Sequence, residues 1–270
     1  MTQAITLDTD KIQAWIDPTA RTGWLVFNQP EKRNALSLDM WQAMGDALYA
    51  LIDSDDVRVI VLRGAGGKAF VSGADISEFD RVRANAEQKA SYGEIAGRAT
   101  KALQTCPKPV VAMIEGFCIG GGLATALGAD VRIATSDSTF GIPAGRLGLG
   151  YEYASVAKLS HAVGPANARD MLLSARLFGA DEALGLGLVH RVAEREEIEQ
   201  TVTAFCERIA ANAPLTLRAA KAAINAFERG GRADEVAAAE ALVAACFDSD
   251  DYKEGRRAFA DKRTPDFSGR

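Results

Sequence analysis

The chain has 270 residues, of which 48% are hydrophobic and 25% are charged, and its formal net charge is −5. This composition is typical of a globular protein with a full-sized core, so we expect one large domain with a smaller appendage. The acidic balance argues against nucleic acid as a partner, and no apolar run approaches the length of a membrane span. We expect a cytoplasmic protein that binds neither nucleic acid nor membrane.

Strand and helix patterns alternate in the first two thirds of the chain. Five short apolar runs predict β-strands, at residues 11–17, 22–28, 57–64, 108–116 and 130–134. After Ser37, apolar residues recur every three or four positions, which predicts an amphipathic helix with Ser37 at its N-cap. Strands that alternate with helices favour a parallel α/β arrangement.

The pattern changes near Glu194, since the rest of the chain reads as successive helices with few strand signals. We therefore predict an α/β core over residues 1–195 and a helical region over residues 196–270.

The stretch GFCIGGGLATALGAD, residues 116–130, has three consecutive glycines between a predicted strand and an apolar helix. Free backbone N–H groups at such a helix start suit a phosphate or the oxyanion of a carbonyl or thioester. The triplet matches neither common nucleotide-loop pattern. Close packing of the helix on the strand explains the glycines equally well at this point.

The cysteines and histidines are too scattered to predict a metal site. The four cysteines are Cys106, Cys118, Cys206 and Cys246. They form no CxxC pair, and neither His161 nor His190 has a cysteine at ligand spacing. We expect reduced, mostly buried thiols and no bound metal.

Four further stretches lie in order around the glycine triplet. They are NQPEKRNALSLDM (28–40), GKAFVSGADISEF (67–79), FGIPAGRLGLG (140–150) and KEGRRAFADKRTPDF (253–267). Together with the triplet they resemble the crotonase, or enoyl-CoA hydratase/isomerase, superfamily over nearly the whole chain. The resemblance implies an α/β fold, a crotonase-type spiral of ββα units, with a C-terminal helical trimerisation region. It also implies a homotrimer or a hexamer built as a dimer of trimers.

The resemblance further implies an enzyme that acts on acyl-CoA thioesters. Coenzyme A would then be part of the substrate, with no separate cofactor. Two backbone N–H groups hold the thioester oxygen in this family and stabilise an enolate. By motif position these groups belong to Ala74 and Gly121.

Eight other positions resemble the family's CoA-binding segments. They are Lys32, Arg33, Ala35, Ser72, Asp75 and Ile76 near the site, and Phe259 and Lys262 in the C-terminal helix. Cationic side chains such as Lys32 and Arg33 suit the CoA phosphates. Ordinary surface charge or packing explains Lys32, Arg33, Phe259 and Lys262 about as well.

The sequence departs from the hydratases of the family at two positions. Those enzymes use one glutamate three residues after the middle glycine and another at the end of an FGxPE motif. Here these positions are Ala124 and Ala144. A positioned acid or base contributes about 100- to 10,000-fold in rate, so true hydratase activity is doubtful.

Two nearby residues are candidates to replace the missing glutamates. Tyr151 stands where the family's decarboxylases carry a tyrosine, although their characteristic histidine is replaced by Ala74. Glu152 is the adjacent acid. With these residues the chain could be a decarboxylase, an isomerase or a thioesterase, or it could bind CoA without turnover. Packing for Tyr151 and helix capping for Glu152 remain open.

Four other acids near the motifs are predicted to have structural roles. Asp75 and Glu78 are interpreted as helix-start groups, and Glu115 and Asp130 as supports at strand ends.

Overall fold

The computed structural model describes residues 1–78 and 86–270, and in this part of the chain it contains eleven β-strands and nine α-helices. The strands are β1 Gln3–Ile5, β2 Ile12–Asp17, β3 Thr22–Phe27, β4 Val59–Gly64, β5 Ala69–Val71, β6 Val110–Ile114, β7 Phe117–Ile119, β8 Val131–Thr135, β9 Thr139–Gly141, β10 Phe178–Gly179 and β11 Arg191–Ala193. The helices are α1 Leu38–Asp53, α2 Ala86–Thr105, α3 Gly121–Ala126, α4 Tyr153–Ser174, α5 Ala180–Gly185, α6 Ile198–Ala210, α7 Pro214–Glu228, α8 Ala233–Asp248 and α9 Asp250–Asp261. Phe79, the last residue of one matched motif, lies outside the described residues.

The strands form two sheets that the chain visits alternately. The larger sheet has the order β1-β2-β3-β4-β6-β8-β11 and is parallel from β3 onward. The smaller sheet has the order β10-β9-β7-β5, in which β5, β7 and β9 are parallel. One strand in each sheet followed by a helix occurs as β4-β5-α2, β6-β7-α3 and β8-β9-α4. This repetition confirms the predicted spiral of ββα units.

The five predicted strands are present as β2, β3, β4, β6 and β8, each within a residue or two of the expected bounds. They are apolar because the larger sheet is covered on both faces. One face packs into the main core, and the other forms a second core of valines, Met113 and Ile133 against Ile198, Val202 and Cys206 of α6. Burial of both faces explains the continuous apolar runs.

The predicted helix α1 begins directly after Ser37, but the side chain of Ser37 does not cap it. The Ser37 hydroxyl donates to Asp39 instead. The first N–H of the helix, at Leu38, donates to the carboxylate of Glu78 at 2.9 Å. An acid 40 residues away in sequence thus takes the capping role that the local pattern assigned to serine.

Helices α6 to α9 follow the last strand, as the change of pattern near Glu194 predicted. Their packing differs along the segment, because α6 covers the larger sheet whereas α7 and α8 pack on each other. The division at residues 1–195 and 196–270 stays a prediction. The end of the chain is anchored, since the buried carboxylate of Asp251 accepts N–H bonds from Ser268 and Gly269.

The structure confirms that the cysteines are mostly buried. All four cysteines are unpaired, and Cys106, Cys118 and Cys206 are buried. In residues 1–78 and 86–270, no three histidine, cysteine or acidic side chains lie close enough to hold a metal ion. In the same residues, every helix is too short or too polar to cross a bilayer.

Candidate functional site

The backbone at Ala74 is held by pairing with the segment before α1. Leu36 and Ala74 form an isolated parallel bridge. The N–H of Leu36 donates to the carbonyl of Gly73 at 2.8 Å, and the N–H of Asp75 donates to the carbonyl of Leu36 at 2.9 Å. Because a parallel bridge uses the groups of the flanking residues, the N–H of Ala74 itself points away from Leu36.

Each glycine of the triplet has a different structural reason. Gly120 has φ 53°, in the left-handed region that favours glycine, and its N–H donates to Gly141 at 2.8 Å. A Cβ on Gly122 would lie 2.0 Å from the carbonyl oxygen of Val71, so close packing excludes a side chain there. Gly121 has neither constraint, because its φ is ordinary and a Cβ would make only van der Waals contacts.

Gly121 and Ala74 face each other. The Cβ position of Gly121 lies 3.7 Å from the backbone nitrogen of Ala74. Gly121 is the first residue of α3, so its N–H has no acceptor within the helix. Within the described residues, neither N–H has a recorded hydrogen-bond acceptor. The fold therefore brings together two unpaired main-chain donors, at the residues that the motifs predicted.

Alanines occupy both positions at which the hydratases of the family carry glutamates. Ala124 lies in the first turn of α3, where its N–H donates to the carbonyl of Gly120 at 3.0 Å. Ala144 follows β9 and packs against the main core. Both alanines are half-buried, and neither methyl group can position or activate a water molecule.

Tyr151 and Glu152 differ sharply in their surroundings. Tyr151 is half-buried and packs against the main core. Burial, with a smaller contribution from Cys118, raises the pKa of Tyr151 to about 12. Its phenol is therefore neutral at physiological pH. Glu152 precedes α4 with an exposed side chain that makes no capping hydrogen bond.

Two short segments, residues 32–36 and 72–76, pack side by side near the donors. Their backbones are joined where the N–H of Ser72 donates to the carbonyl of Arg33 at 3.1 Å. Lys32 and Asp75 join the same segments through an ion pair of 2.7 Å. The structure thus brings together six of the predicted CoA-contact positions, which are Lys32, Arg33, Ala35, Ser72, Asp75 and Ile76.

The carboxylate of Asp75 is buried and fully engaged. It accepts hydrogen bonds from the N–H and the hydroxyl of Ser77, at 3.1 and 2.5 Å. Burial alone would raise the pKa of Asp75, but the hydrogen bonds from Lys32 and Ser77 outweigh it and hold that pKa below its usual value. The hydrogen bond between Lys32 and Asp75 also raises the pKa of Lys32. Asp75 directly precedes a short 3-10 helix, Ile76–Glu78, and accepts from its second N–H group, which agrees with the predicted helix-start role.

A model of the enoyl-CoA hydratase/isomerase family matches residues 22–270 of the chain. The chain belongs to this family. It is 33% identical over 251 residues to a short-chain-enoyl-CoA hydratase from Clostridium acetobutylicum, which covers 92% of this chain and 94% of that protein. It is 34% identical over 247 residues to a crotonyl-CoA hydratase from Syntrophomonas wolfei, with 90% and 93% covered.

The fold of a solved member of the enoyl-CoA hydratase/isomerase family is also similar. The crystal structure of an enoyl-CoA hydratase/carnithine racemase from Magnetospirillum magneticum aligns with a TM-score of 0.90 at 38% identity. The alignment covers 97% of each chain. The family expected from the motifs and the crotonase-type fold are both confirmed.

The other two predicted CoA-contact positions belong to the C-terminal helix and not to the segments 32–36 and 72–76. Phe259 and Lys262 are on α9 and at its end, and Phe259 is 89% exposed. In the part of the chain that is described, the side-chain hydrogen bonds of α9 to other segments go to the C-terminal tail and not to residues 32–36 or 72–76. A role for Phe259 and Lys262 in CoA binding stays a prediction that would need a second copy of the chain.

Asn34 holds the segment 32–36 in position, although the sequence motifs did not predict this role. It is fully buried with φ 56°, and its amide nitrogen donates to the carbonyls of Ala65 and Ala69 at 3.0 and 2.8 Å. Asn34 thereby ties the segment 32–36 to β5. The signal in the sequence was asparagine itself, which tolerates the left-handed region better than other residues.

The remaining acids and histidines support the fold. Asp130 accepts from the N–H of Val110 at 2.6 Å, and Glu115 lies 3.5 Å from Arg195. His190 accepts from the N–H of Arg132 at 3.1 Å, while His161 is exposed on α4. The structural roles predicted for Glu115 and Asp130 are confirmed.

Proposed function

We propose that this chain is an enzyme that binds an acyl-CoA thioester and stabilises its enolate between the N–H groups of Ala74 and Gly121. The main support is the closeness of these two residues, whose N–H groups have no acceptor within the described residues. An oxygen that gains negative charge during a reaction is stabilised best by such preorganised donors. The segments 32–36 and 72–76 would hold the CoA part of the substrate.

The side chains at the candidate catalytic positions favour a reaction that needs no general base. Ala124 and Ala144 offer none, and the raised pKa of Tyr151 keeps its phenol protonated. Water addition, thioester hydrolysis and double-bond migration each require a proton to be removed from water or carbon. Glu152 is next to Tyr151 in the sequence, but its side chain is exposed to solvent and therefore does not supply a buried general base.

Decarboxylation of a 2-carboxyacyl-CoA meets this condition. The bond between the α-carbon and the carboxylate breaks, and its electron pair passes to the thioester oxygen as the enolate forms. Carbon dioxide leaves, and the donors of Ala74 and Gly121 stabilise the new charge. The enolate then returns its electron pair to the α-carbon, which takes a proton from the phenol of Tyr151. Solvent reprotonates the phenolate.

Hydration of an enoyl-CoA is the second candidate, because two relatives at 33% and 34% identity are named hydratases. It would require a water-activating group other than the two alanines. Catalysis of this reaction and of decarboxylation can be separated by their products.

The test is to incubate the enzyme with malonyl-type CoA thioesters and with crotonyl-CoA and to analyse the products by mass spectrometry. We expect loss of carbon dioxide from a malonyl-type thioester and little or no gain of water by crotonyl-CoA. Turnover of crotonyl-CoA at ordinary hydratase rates would overturn the proposal. Binding of CoA thioesters without any turnover would identify a non-catalytic CoA-binding protein.

Tyr151→Phe tests the proton donor. We expect decarboxylation to slow by about 100-fold, in the range for loss of a positioned acid, with unchanged binding of the CoA product. Tyr153→Phe is the matched control, because Tyr153 is 87% exposed two residues away. Glu152→Gln should also leave turnover unchanged. Equal rates for Tyr151→Phe and the wild type would exclude Tyr151 as the donor.

A further inference from the structure

A cavity lies between helices α4 and α7, and none of residues 32–36, residues 72–76 and Gly121 lines it. It has a volume of about 650 Å³, which is ample for a small organic ligand. One wall is a face of α4 that includes Lys158 and His161, and the opposite wall is a face of α7. Leu127, just after α3, is one of the lining residues. Because Gly121 is at the other end of that short helix, Leu127 lies about 10 Å from Gly121. None of Ala74, Gly121 and Tyr151 lines it.

The lining of this α4/α7 cavity is cationic. Among the described residues that line it, the charged ones are Arg132, Lys158, Lys221, Arg229, Asp130 and Glu228. These are four cations and two carboxylates, so the cavity has an excess of two positive charges in a chain with a net charge of −5. Its two histidines, His161 and His190, can add to this charge but not reduce it.

Three of the four cations have partners in the protein. Lys221 lies 2.7 Å from Asp130, and Arg229 lies 3.2 Å from Glu235. Arg132 is nine-tenths buried, and its guanidinium donates to the carbonyls of Leu188 and Ala129 at 2.6 and 2.8 Å. Asp130 and Glu235 offset the charges of Lys221 and Arg229, whereas the carbonyl partners of Arg132 hold its guanidinium in place and leave it positively charged.

Lys158 is the exception. In the part of the chain that is described, its ammonium group has no hydrogen-bond or ion-pair partner. Burial lowers the pKa of Lys158, and the neighbouring Arg229 and Lys221 lower it further, while Glu228 and Asp130 partly compensate. A half-buried ammonium group without a partner is unfavourable, and an anion in the cavity would relieve that cost.

We propose that the α4/α7 cavity binds a small phosphate-bearing molecule through Lys158 and Arg132. Lys158 and Arg132 are the two lining cations without a carboxylate partner among the described residues, and a phosphate monoester carries about two negative charges at neutral pH. Lysine and arginine are the side chains that proteins use to hold such groups. The site is separate from the segments that would hold CoA, and the proposal does not depend on the reaction at Ala74 and Gly121.

The experiment is isothermal titration calorimetry of the 270-residue chain with inorganic phosphate, at an ionic strength held constant with chloride. We expect saturable binding that weakens by about tenfold or more in Lys158→Met, because a charge-assisted contact is lost. Lys101→Gln, which removes a charge from exposed α2, should bind as the wild type does. Glu228→Gln should bind more tightly, because it removes a negative charge from the lining.

Four outcomes would overturn the proposal. The first is no saturable binding to the wild type, and the second is equal affinity in Lys158→Met. The third is displacement of phosphate by CoA, which would place the phosphate in the CoA site. The fourth is a change in oligomeric state in Lys158→Met alone, measured by light scattering, which would identify the cavity as a contact between copies. If Lys158→Met fails to fold, Lys158→Gln replaces it in all four tests.

Discussion

At the scale of single residues, the glycine triplet shows that neighbouring identical residues can have different purposes. Gly120 supplies a backbone conformation, and Gly122 lets α3 pack on β5. Gly121 is required by neither the backbone nor the packing of the protein. Its lack of a side chain therefore leaves the space beside the backbone nitrogen of Ala74 open.

Exchange of these two glycines for alanine should have opposite consequences. Gly121→Ala should fold with near wild-type stability, but its methyl group would crowd the donors and lower turnover by about 100-fold. Gly122→Ala should lose about 1–3 kcal/mol of unfolding free energy, because its methyl group meets the carbonyl of Val71. Urea unfolding and steady-state kinetics measure the two effects. A stable Gly121→Ala variant with full activity would contradict the assignment of Gly121.

The sequence motifs located both backbone donors, because a motif records which residues recur at a position. They could not reveal how the donors are held, since the bridge joins Leu36 to Ala74 across 38 positions of the chain. The pKa of Tyr151 was likewise hidden, because it depends on burial by residues that are distant in sequence. Local patterns predicted α1 and five of the eleven strands that the structure describes, whereas the short strands of the smaller sheet and the capping of α1 by Glu78 needed the tertiary structure.

At the scale of elements, the proposed site combines the start of α3, at Gly121, with two irregular segments, 32–36 and 72–76. Leu36 anchors the first segment in the main core, and the ion pair of Lys32 with Asp75 links the two segments. Asn34 ties the first segment to β5. Rigid strands thus position the segments, and a small number of polar contacts sets their local shape.

Asp75→Asn should remove a pH-dependent part of the stability. The pKa of Asp75 is lowered in the folded state, so its ionised form stabilises the protein above the unfolded pKa of about 3.9. That contribution is lost as the pH falls through the lower folded pKa. The wild type should therefore exceed Asp75→Asn in urea unfolding at pH 6, with the difference vanishing in more acidic solution. Asp8→Asn, on an exposed residue, is the control; a difference that persists at low pH would contradict the ion-pair role.

At the scale of the whole molecule, the C-terminal helices carry several exposed phenylalanine side chains. Phe227, Phe247 and Phe259 on α7, α8 and α9 are 82%, 60% and 89% exposed. Exposed apolar surface of this extent marks contacts with other molecules. It supports the predicted assembly of three or six chains, in which Phe259 could approach the site of another copy.

Light scattering should give a mass of three or six copies of the 28.7-kDa chain. Phe227→Asp should shift the mass toward that of one chain, because a carboxylate cannot be buried in an apolar contact without a partner. Thr100→Asp, on an exposed residue of α2, is the control and should not change the mass. A wild-type protein that is monomeric at micromolar concentration would refute the predicted assembly.

The bridge between Leu36 and Ala74 has a consequence for how such an enzyme can be studied and can diverge. Alanine scanning would miss the proposed oxyanion donors, since residue 74 is already alanine and the donor belongs to the main chain. Proline is the one standard residue that would remove this N–H group. Most point mutations would thus leave the proposed main-chain N–H donors for the oxyanion in place. The proposed proton donor, in contrast, is a single side chain that one mutation can remove. A new reaction could therefore arise by exchanging a few side chains around an unchanged backbone.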